Sequence, residues 1–321
     1  MVVGSEHPKA GVDYPGTWQS FEAWFPDDDA CREFLARVRW PDGFVCPNCG
    51  GRDSWVTARG LWMCRTCGRQ SSVTAGTIFH RSRHPLRTWF AAMWFVCSQK
   101  NGVSALGLQR VLGFGSYETA WAWMHKLRRA MVRPDRELLG GDDVTVEMDS
   151  TFIGGRSQGK RGVRYANKTE VVVAVERAQP HGFGRIRLAT IDSSERSDEL
   201  FEFIRTNIAH GTVLVTDGET AYPGIAKKLH IRHEPINLSA TKQPAHEALP
   251  AVHHVASLLK RWIAGTLHDR VEPANLDYYL DEYTFRFNRR TSRSRGLLWY
   301  RLVQQAVNTD PHPLDVLQHK M

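Results

Sequence analysis

Two stretches decide how this 321-residue chain is read: Val144-Thr-Val-Glu-Met-Asp149, which runs on through Phe152-Ile-Gly-Gly155, and Val213-Leu-Val-Thr-Asp-Gly218. In the first, Val144, Val146 and Met148 alternate with Thr145, Glu147 and Asp149, the period of a strand with one buried face. The second is a short apolar strand that ends in an Asp-Gly turn. Between them the pattern predicts strands at Glu170–Val175 and Arg185–Ile191. A helix capped by Ser197 follows, with Asp198 and Glu199 in its first turn and Leu200, Phe201, Ile204 and Ile208 on its inner face. Beyond the second stretch come a helix near Ala221–Leu229, a strand at Ile231–Ile236 and a helix from about Pro250, a residue tolerated in a first helical turn.

Three strands, helix, strand, helix, strand, helix is the order of an α/β ribonuclease-H-like domain with a mixed sheet. In such a sheet, strands one and four can adjoin, so Asp149 and Asp217 can meet at its carboxyl edge. Each alone is an ordinary turn former. Together they are candidate ligands for hard divalent cations, which prefer carboxylate oxygen. Two such ions about 3.5–4 Å apart can activate a water or a 3′-hydroxyl and stabilise the leaving oxygen of a phosphodiester.

The chain ahead of this domain has a different chemistry. Cys46-Pro-Asn-Cys49 and Cys64-Arg-Thr-Cys67 are each followed by glycine, and paired thiolates at this spacing suit a closed, structural tetrahedral zinc. Cys31 and Cys97 have no partner at ligand spacing and read as small apolar residues. Residues 86–131 read as helices: Leu86, Phe90, Met93 and Cys97 recur at helical spacing, and a second helix opens at Ser104. Gly113-Phe-Gly115 breaks it, and Ser116 caps a third that carries Trp123, Lys126, Arg128 and Arg129. A short glycine turn between two helices is the pattern of a helix-turn-helix.

The charge pattern points the same way. The chain holds 42 Lys and Arg against 34 Asp and Glu, a formal charge of +8. The excess is local: residues 1–51 carry −4, residues 52–140 carry +10 and the remainder +2. That is a footprint for phosphate backbones. A second basic run includes Arg286, Arg289, Arg290, Arg293, Arg295 and Arg301. The longest apolar run, Trp89 to Cys97, is too short for a membrane span, so a cytoplasmic, nucleoid-associated protein is expected. The expected division is a zinc ribbon at 18–80, a helix-turn-helix-like region at 81–138, the ribonuclease-H-like domain at 141–305 and a tail at 306–321.

The chain resembles bacterial insertion-sequence transposases of the ISXO-two-like group, which join a zinc ribbon and helical DNA-binding region to a DDE catalytic domain. The resemblance rests on the two cysteine pairs, Ser71–Phe79, Val146–Gly155, Val215–Gly218, Ser257–Lys260 and Tyr279–Arg290. It departs where Ser150 replaces a second acid and Leu258 replaces Asn. The resemblance implies that Asp149 and Asp217 bind catalytic Mg²⁺ or Mn²⁺ and that Lys260 holds element-end DNA. The partners implied are double-stranded DNA, as ends and target, and further copies of the chain on that DNA. Lys126, Arg128, Arg129, Arg286, Arg289 and Arg290 are the other expected DNA contacts.

The third metal ligand is sought on the helix opened by Pro250. DDE enzymes commonly place a Glu seven residues before a Lys or Arg, and seven residues turn about 700°, so both share one helix face. Counting back from Lys260 gives His253, which is 36 positions after Asp217. Glu247 and Glu282 are the alternatives. The activity implied is end cleavage and strand transfer. A DNA-binding protein without chemistry and a nuclease without strand transfer are the other possibilities.

Overall fold

The computed structural model describes residues 7–133, 136–154, 168–178, 182–192, 196–237, 240, 244–267 and 271–317. Gly155, the last residue of the first stretch above, lies outside them. The chain divides into two compact units: residues 134–290 form one, and residues 1–133 with 291–321 form the other.

The discontinuous unit opens with helices α1 (Trp18–Trp24) and α2 (Asp28–Arg39), the second capped by the Asp27 carboxylate on the Ala30 N–H. A small antiparallel sheet follows: β1 (Ser54–Val56), β2 (Trp62–Cys64) and β3 (Gln70–Ser71). The Ser71–Phe79 segment then wraps the end of α2, because the Arg39 guanidinium donates to the carbonyls of Val73 (2.6 Å) and Ala75 (2.7 Å). Helices α3 (Leu86–Ser98), α4 (Ala105–Leu112) and α5 (Tyr117–Ala130) follow. The predicted caps hold: Ser104 accepts from the Gly107 N–H and Ser116 from the Thr119 N–H. Between them Gly113 takes a left-handed φ of 68°, which ends α4 without the strain a side chain would bring.

The continuous unit is a five-stranded mixed sheet in the order β6-β5-β4-β7-β8. Its strands are β4 (Thr145–Ile153), β5 (Thr169–Arg177), β6 (Phe183–Ile191), β7 (Val213–Thr216) and β8 (Arg232–Pro235). The first three pair antiparallel, and β4, β7 and β8 pair parallel. Helices α6 (Arg196–Asn207) and α7 (Ala221–Leu229) lie between the last strands in sequence; α8 (Ala245–Ala248), α9 (Pro250–Leu267) and α10 (Leu276–Phe287) follow β8. The two faces of the sheet bury separate cores. Val146, Met148, Val172 and Leu214 pack with Leu200 and Ile204 of α6 and Ile225 of α7. Val171, Val173 and Val175 pack with Val252, Val255 and Leu259 of α9 and Leu280 and Tyr283 of α10. The arrangement is consistent with a ribonuclease-H-like fold.

Helix α10 and the residues that follow it, which include the Tyr279–Arg290 block, seal the sheet edge. The Asn288 side chain takes the Ile186 N–H at 2.7 Å and donates to its carbonyl at 3.1 Å, while Asp277 accepts from the Thr190 N–H and hydroxyl. Unpaired groups of the edge strand β6 are thereby occupied.

Three expectations are corrected. Strand β4 is central and covered on both faces, so Glu147 is fully buried where simple alternation expects an open face. Ser197 lies inside α6, which begins at Arg196, so it is no cap. The domain expected to end at 305 ends at 290, and α11 (Arg295–Ala306) belongs to the other unit. There Trp299 is fully buried, packs on Phe21, Phe25, Phe34 and Phe90, and donates its indole N–H to the Phe90 carbonyl at 3.0 Å. The expected tail includes the short helix α12 (Leu314–Leu317), whose Leu317 is buried in the same unit.

Candidate active site

Strand register brings the two aspartates together. Glu147 of β4 lies opposite Val215 of β7 in the parallel pair, so two residues further along both chains Asp149 and Asp217 come level. Neighbouring strands are about 4.8 Å apart, which sets the scale of their approach. The Asp149 carboxyl is raised above its ordinary value, chiefly by burial and further by the nearby charge of Asp217; the Ser150 N–H, 2.7 Å from Oδ1, and His253 act the other way. Asp217 Oδ1 accepts the Glu219 N–H at 3.2 Å, the turn that ends β7.

His253 comes to the same place from α9. Its Nε2 lies 3.7 Å from Asp149 Oδ2, is shielded from solvent and has no hydrogen-bond partner. What places it there is Glu147. One carboxylate oxygen accepts the first free N–H groups of α9, from Ala251 at 2.7 Å and Val252 at 3.0 Å, and the other accepts Arg177 Nε at 2.5 Å. An anion satisfies orphan donors at a helix N-terminus. Glu147 therefore ties the helix of His253 to the strand of Asp149, two residues away on the same strand face.

Lys260 lies two turns on and is exposed; with Thr151, His253, Ala256, Ser257 and Arg261 it lines an open groove along α9. Burial and the neighbouring Lys168 lower its ammonium from the ordinary value. Leu258 is part of the core beneath α9. Of the alternative ligands, Glu247 is exposed on α8, and Glu282 is buried in α10 against Arg286 at 2.8 Å.

Further side chains surround the aspartates that sequence reasoning passes over. Arg196, at the start of α6, holds both oxygens of Glu219, pairs with Glu170 and reaches Ser150 Oγ at 3.4 Å. Tyr222 of α7 is buried beside them. The one signal available was the Glu at position 147, sharing strand parity with Asp149.

The cysteine cluster is fully assembled. Sγ of Cys46 and Cys67 are 3.7 Å apart, those of Cys49 and Cys64 are 3.6 Å apart, and all four lie within 4.8 Å of one another. A tetrahedron with Zn–S near 2.3 Å has edges of about 3.8 Å, so the four thiols can hold a structural zinc. Each knuckle closes with Gly50 N–H on the Cys46 carbonyl and Gly68 N–H on the Cys64 carbonyl, both 2.9 Å, at positive φ. The Cys67 backbone N–H helps draw the Cys64 thiol down to about 6. Cys31 and Cys97 are buried apart from this group; burial lifts Cys31 to about 12. Among the described residues only these four cysteines bring three or more ligand atoms so close; Asp149, Asp217 and His253 do not.

Two known domains match this architecture. Residues 137–288 match the model of the ISXO2-like transposase domain, and residues 26–70 match that of the transposase zinc-ribbon domain. The chain belongs to the ISXO2-like transposases. The transposase-domain match falls within the continuous unit, and the ribbon match takes in all four cysteines. The transposase is 24% identical over 298 residues to an uncharacterized protein in transposable element ISH50 of Halobacterium salinarum, covering 82% of this chain and 93% of that protein. A chain from the simian T-cell lymphotropic virus intasome in complex with PP2A regulatory subunit B56 gamma aligns over 70% of this chain and 74% of its own, at 14% identity and a TM-score of 0.33. Family membership places the transposase in DNA transposition and DNA binding generally, and among the described residues no helix is long and apolar enough to cross a membrane.

The basic residues expected on DNA divide by burial. Arg128 is 3% exposed and lies in the interior, so it is withdrawn as a DNA contact. Burial lowers the half-buried Lys126, while Arg129 is exposed. Arg286 is withdrawn too, since its charge is spent on Glu282. Arg289 stacks at 4.1 Å over Phe285, and Arg290 stacks at 4.1 Å over Phe287 and donates to the Phe287, Gly184 and Phe183 carbonyls. The Arg290 guanidinium thereby fastens the end of α10 to β6.

Proposed function

We propose that this chain cuts the ends of its own insertion sequence and joins the freed 3′-hydroxyls to target DNA, using a site made of Asp149, Asp217 and His253. The observation that carries the reading is the His253 Nε2: a buried ring nitrogen without a hydrogen bond, 3.7 Å from an aspartate oxygen. A buried polar atom without a partner is costly and rare, and an imidazole with two carboxylates is a donor set that fits a divalent cation. A bound Mg²⁺ or Mn²⁺ would supply Lewis acidity at the scissile phosphate and make a water or 3′-hydroxyl a stronger nucleophile. Asp149 and Asp217 offer the hard oxygens, and imidazole, a softer ligand, favours Mn²⁺ at least as much as Mg²⁺. Glu147 fixes the spacing of His253 from Asp149. Lys260 and Arg261 present positive charge along the groove that leads to His253, where a phosphate backbone is attracted.

The other unit supplies recognition. Helices α4 and α5, joined at Gly113, act as a helix-turn-helix on the element ends, with the exposed Arg110, Tyr117 and Arg129 as its contacts. The zinc in the cysteine cluster is structural, and the chains assemble on DNA as a homo-oligomer.

The test compares His253→Ala with Glu247→Gln in one Mn²⁺ cleavage assay, with end binding as control. Loss of cleavage in His253→Ala alone, with binding retained, is the expected result. Normal cleavage by His253→Ala would remove it from the site.

A further inference from the structure

Tyr222 stands in the first turn of α7, five residues after Asp217, and is 1% exposed. Its ring packs in the core between the sheet and helices α6 and α7. Its hydroxyl is buried as well, yet has no hydrogen-bond partner. A phenylalanine would fill the same volume without that cost, since a buried hydroxyl is tolerated only when something accepts from it or donates to it.

The surroundings narrow what that partner is. The groups whose charge bears on the hydroxyl are Asp149, Glu219, Arg196 and Asp217; burial first, then these acids, keep the phenol protonated far above its usual range. A neutral phenol beside carboxylates is a donor. Glu219 already gives both its oxygens to Arg196. Asp217 Oδ1 takes the Glu219 N–H, and Asp149 Oδ1 takes the Ser150 N–H. The second oxygens of the two aspartates, and any water they hold, remain as acceptors.

We propose that Tyr222 is a positioning residue for the Asp149 and Asp217 site: its buried hydroxyl, which meets no protein acceptor, donates to a water held by an aspartate oxygen and so fixes that oxygen for a divalent cation. The proposal rests on the metal site described under the proposed function. Donors behind metal ligands set ligand orientation, and their loss commonly weakens metal binding by about 10–100-fold.

The experiment titrates Mn²⁺ into the full-length chain and counts free ion by electron paramagnetic resonance, for wild type, Tyr222→Phe and Asp149→Asn. Tyr222→Phe is expected to bind Mn²⁺ about tenfold more weakly while melting no lower than wild type in metal-free buffer. An unchanged Mn²⁺ affinity overturns the proposal. So does a lower melting temperature without metal, which would show the hydroxyl bonded within the fold. Asp149→Asn separates the two claims: if it binds Mn²⁺ like wild type, the metal site itself is misplaced, and if it fails to bind while Tyr222→Phe binds normally, only Tyr222 is removed.

Discussion

Glu147→Gln changes one atom and should loosen the joint between β4 and α9. The carboxylate is fully buried and takes the Ala251 and Val252 N–H groups on one oxygen and Arg177 on the other. A glutamine has one carbonyl oxygen, so it can serve the helix or the arginine, and its NH₂ then faces a donor. Hydrogen bonds to a charged group contribute about 1.5–3 kcal/mol each, and a carboxylate at a partly buried helix N-terminus adds up to about 2 kcal/mol. The Arg177 side chain is 38% exposed, so water replaces much of its share, leaving roughly 0–1 kcal/mol. Losing one charged bond and the helix charge together costs between about 1.5 and 5 kcal/mol. For a unit of this size each kcal/mol moves the melting temperature by about 2–4 °C, so the drop should be roughly 3–20 °C. Hydrogen exchange read by mass spectrometry localises the effect, because the amides of residues 251 and 252 should exchange faster than in wild type. A drop under about 2 °C with unchanged protection of those amides would refute the staple and, with it, the account of how His253 is placed.

Three further outcomes follow from the same structure. Stripping zinc with a chelator, or replacing Cys49 with Ser, should unfold the ribbon while the unit of residues 134–290 keeps its melting transition; native protein isolated without zinc would contradict this. Burial, and then Arg128, lower His125 to about 3 in the folded state; the unfolded chain takes up a proton near pH 6.5, so the unit loses stability as pH falls below about 6.5, by up to about 1.4 kcal/mol per pH unit. His125→Gln should flatten that dependence in melts between pH 7 and pH 5, and an unaltered slope would exclude this histidine as its source. Arg129→Ala should weaken binding to all DNA sequences and lower the salt slope by about one, whereas an equally pure salt effect from Arg128→Ala would show that its burial has been misjudged.

Much of the unit of residues 134–290 was legible in the sequence because strand and helix periods are written in its apolar residues. Helix α7 was expected at the residues where it lies, and α9 opens at Pro250 as expected. Alternation, however, reports polarity and not depth. Glu147 reads as the open face of a strand, and only the arrival of α9 makes it a buried acceptor. Arginine reads as surface charge, yet Arg128 and Arg286 are held inside the fold and the exposed Arg290 spends its guanidinium on backbone carbonyls, which composition does not reveal. The amphipathic pattern of α11 fixes which face is buried but not the core it joins, so its place beside Phe90 was missed. The candidate site divides in the same way. The order of elements made Asp149 and Asp217 neighbours, and helical spacing selected His253, but Tyr222, Glu219 and Arg196 come together only through the packing of α6 and α7.

The most direct test uses a supercoiled plasmid carrying the element's terminal inverted repeats, with purified wild-type chain, Asp149→Asn and Asp217→Asn, in Mn²⁺ and in chelator. Asparagine keeps the size of the side chain and removes the charge that would hold a cation. Wild type in Mn²⁺ should nick the element ends and give strand-transfer products, with none in chelator and none from either variant although both still bind the ends. Cleavage at the wild-type rate by either variant, or with metal removed, would contradict this.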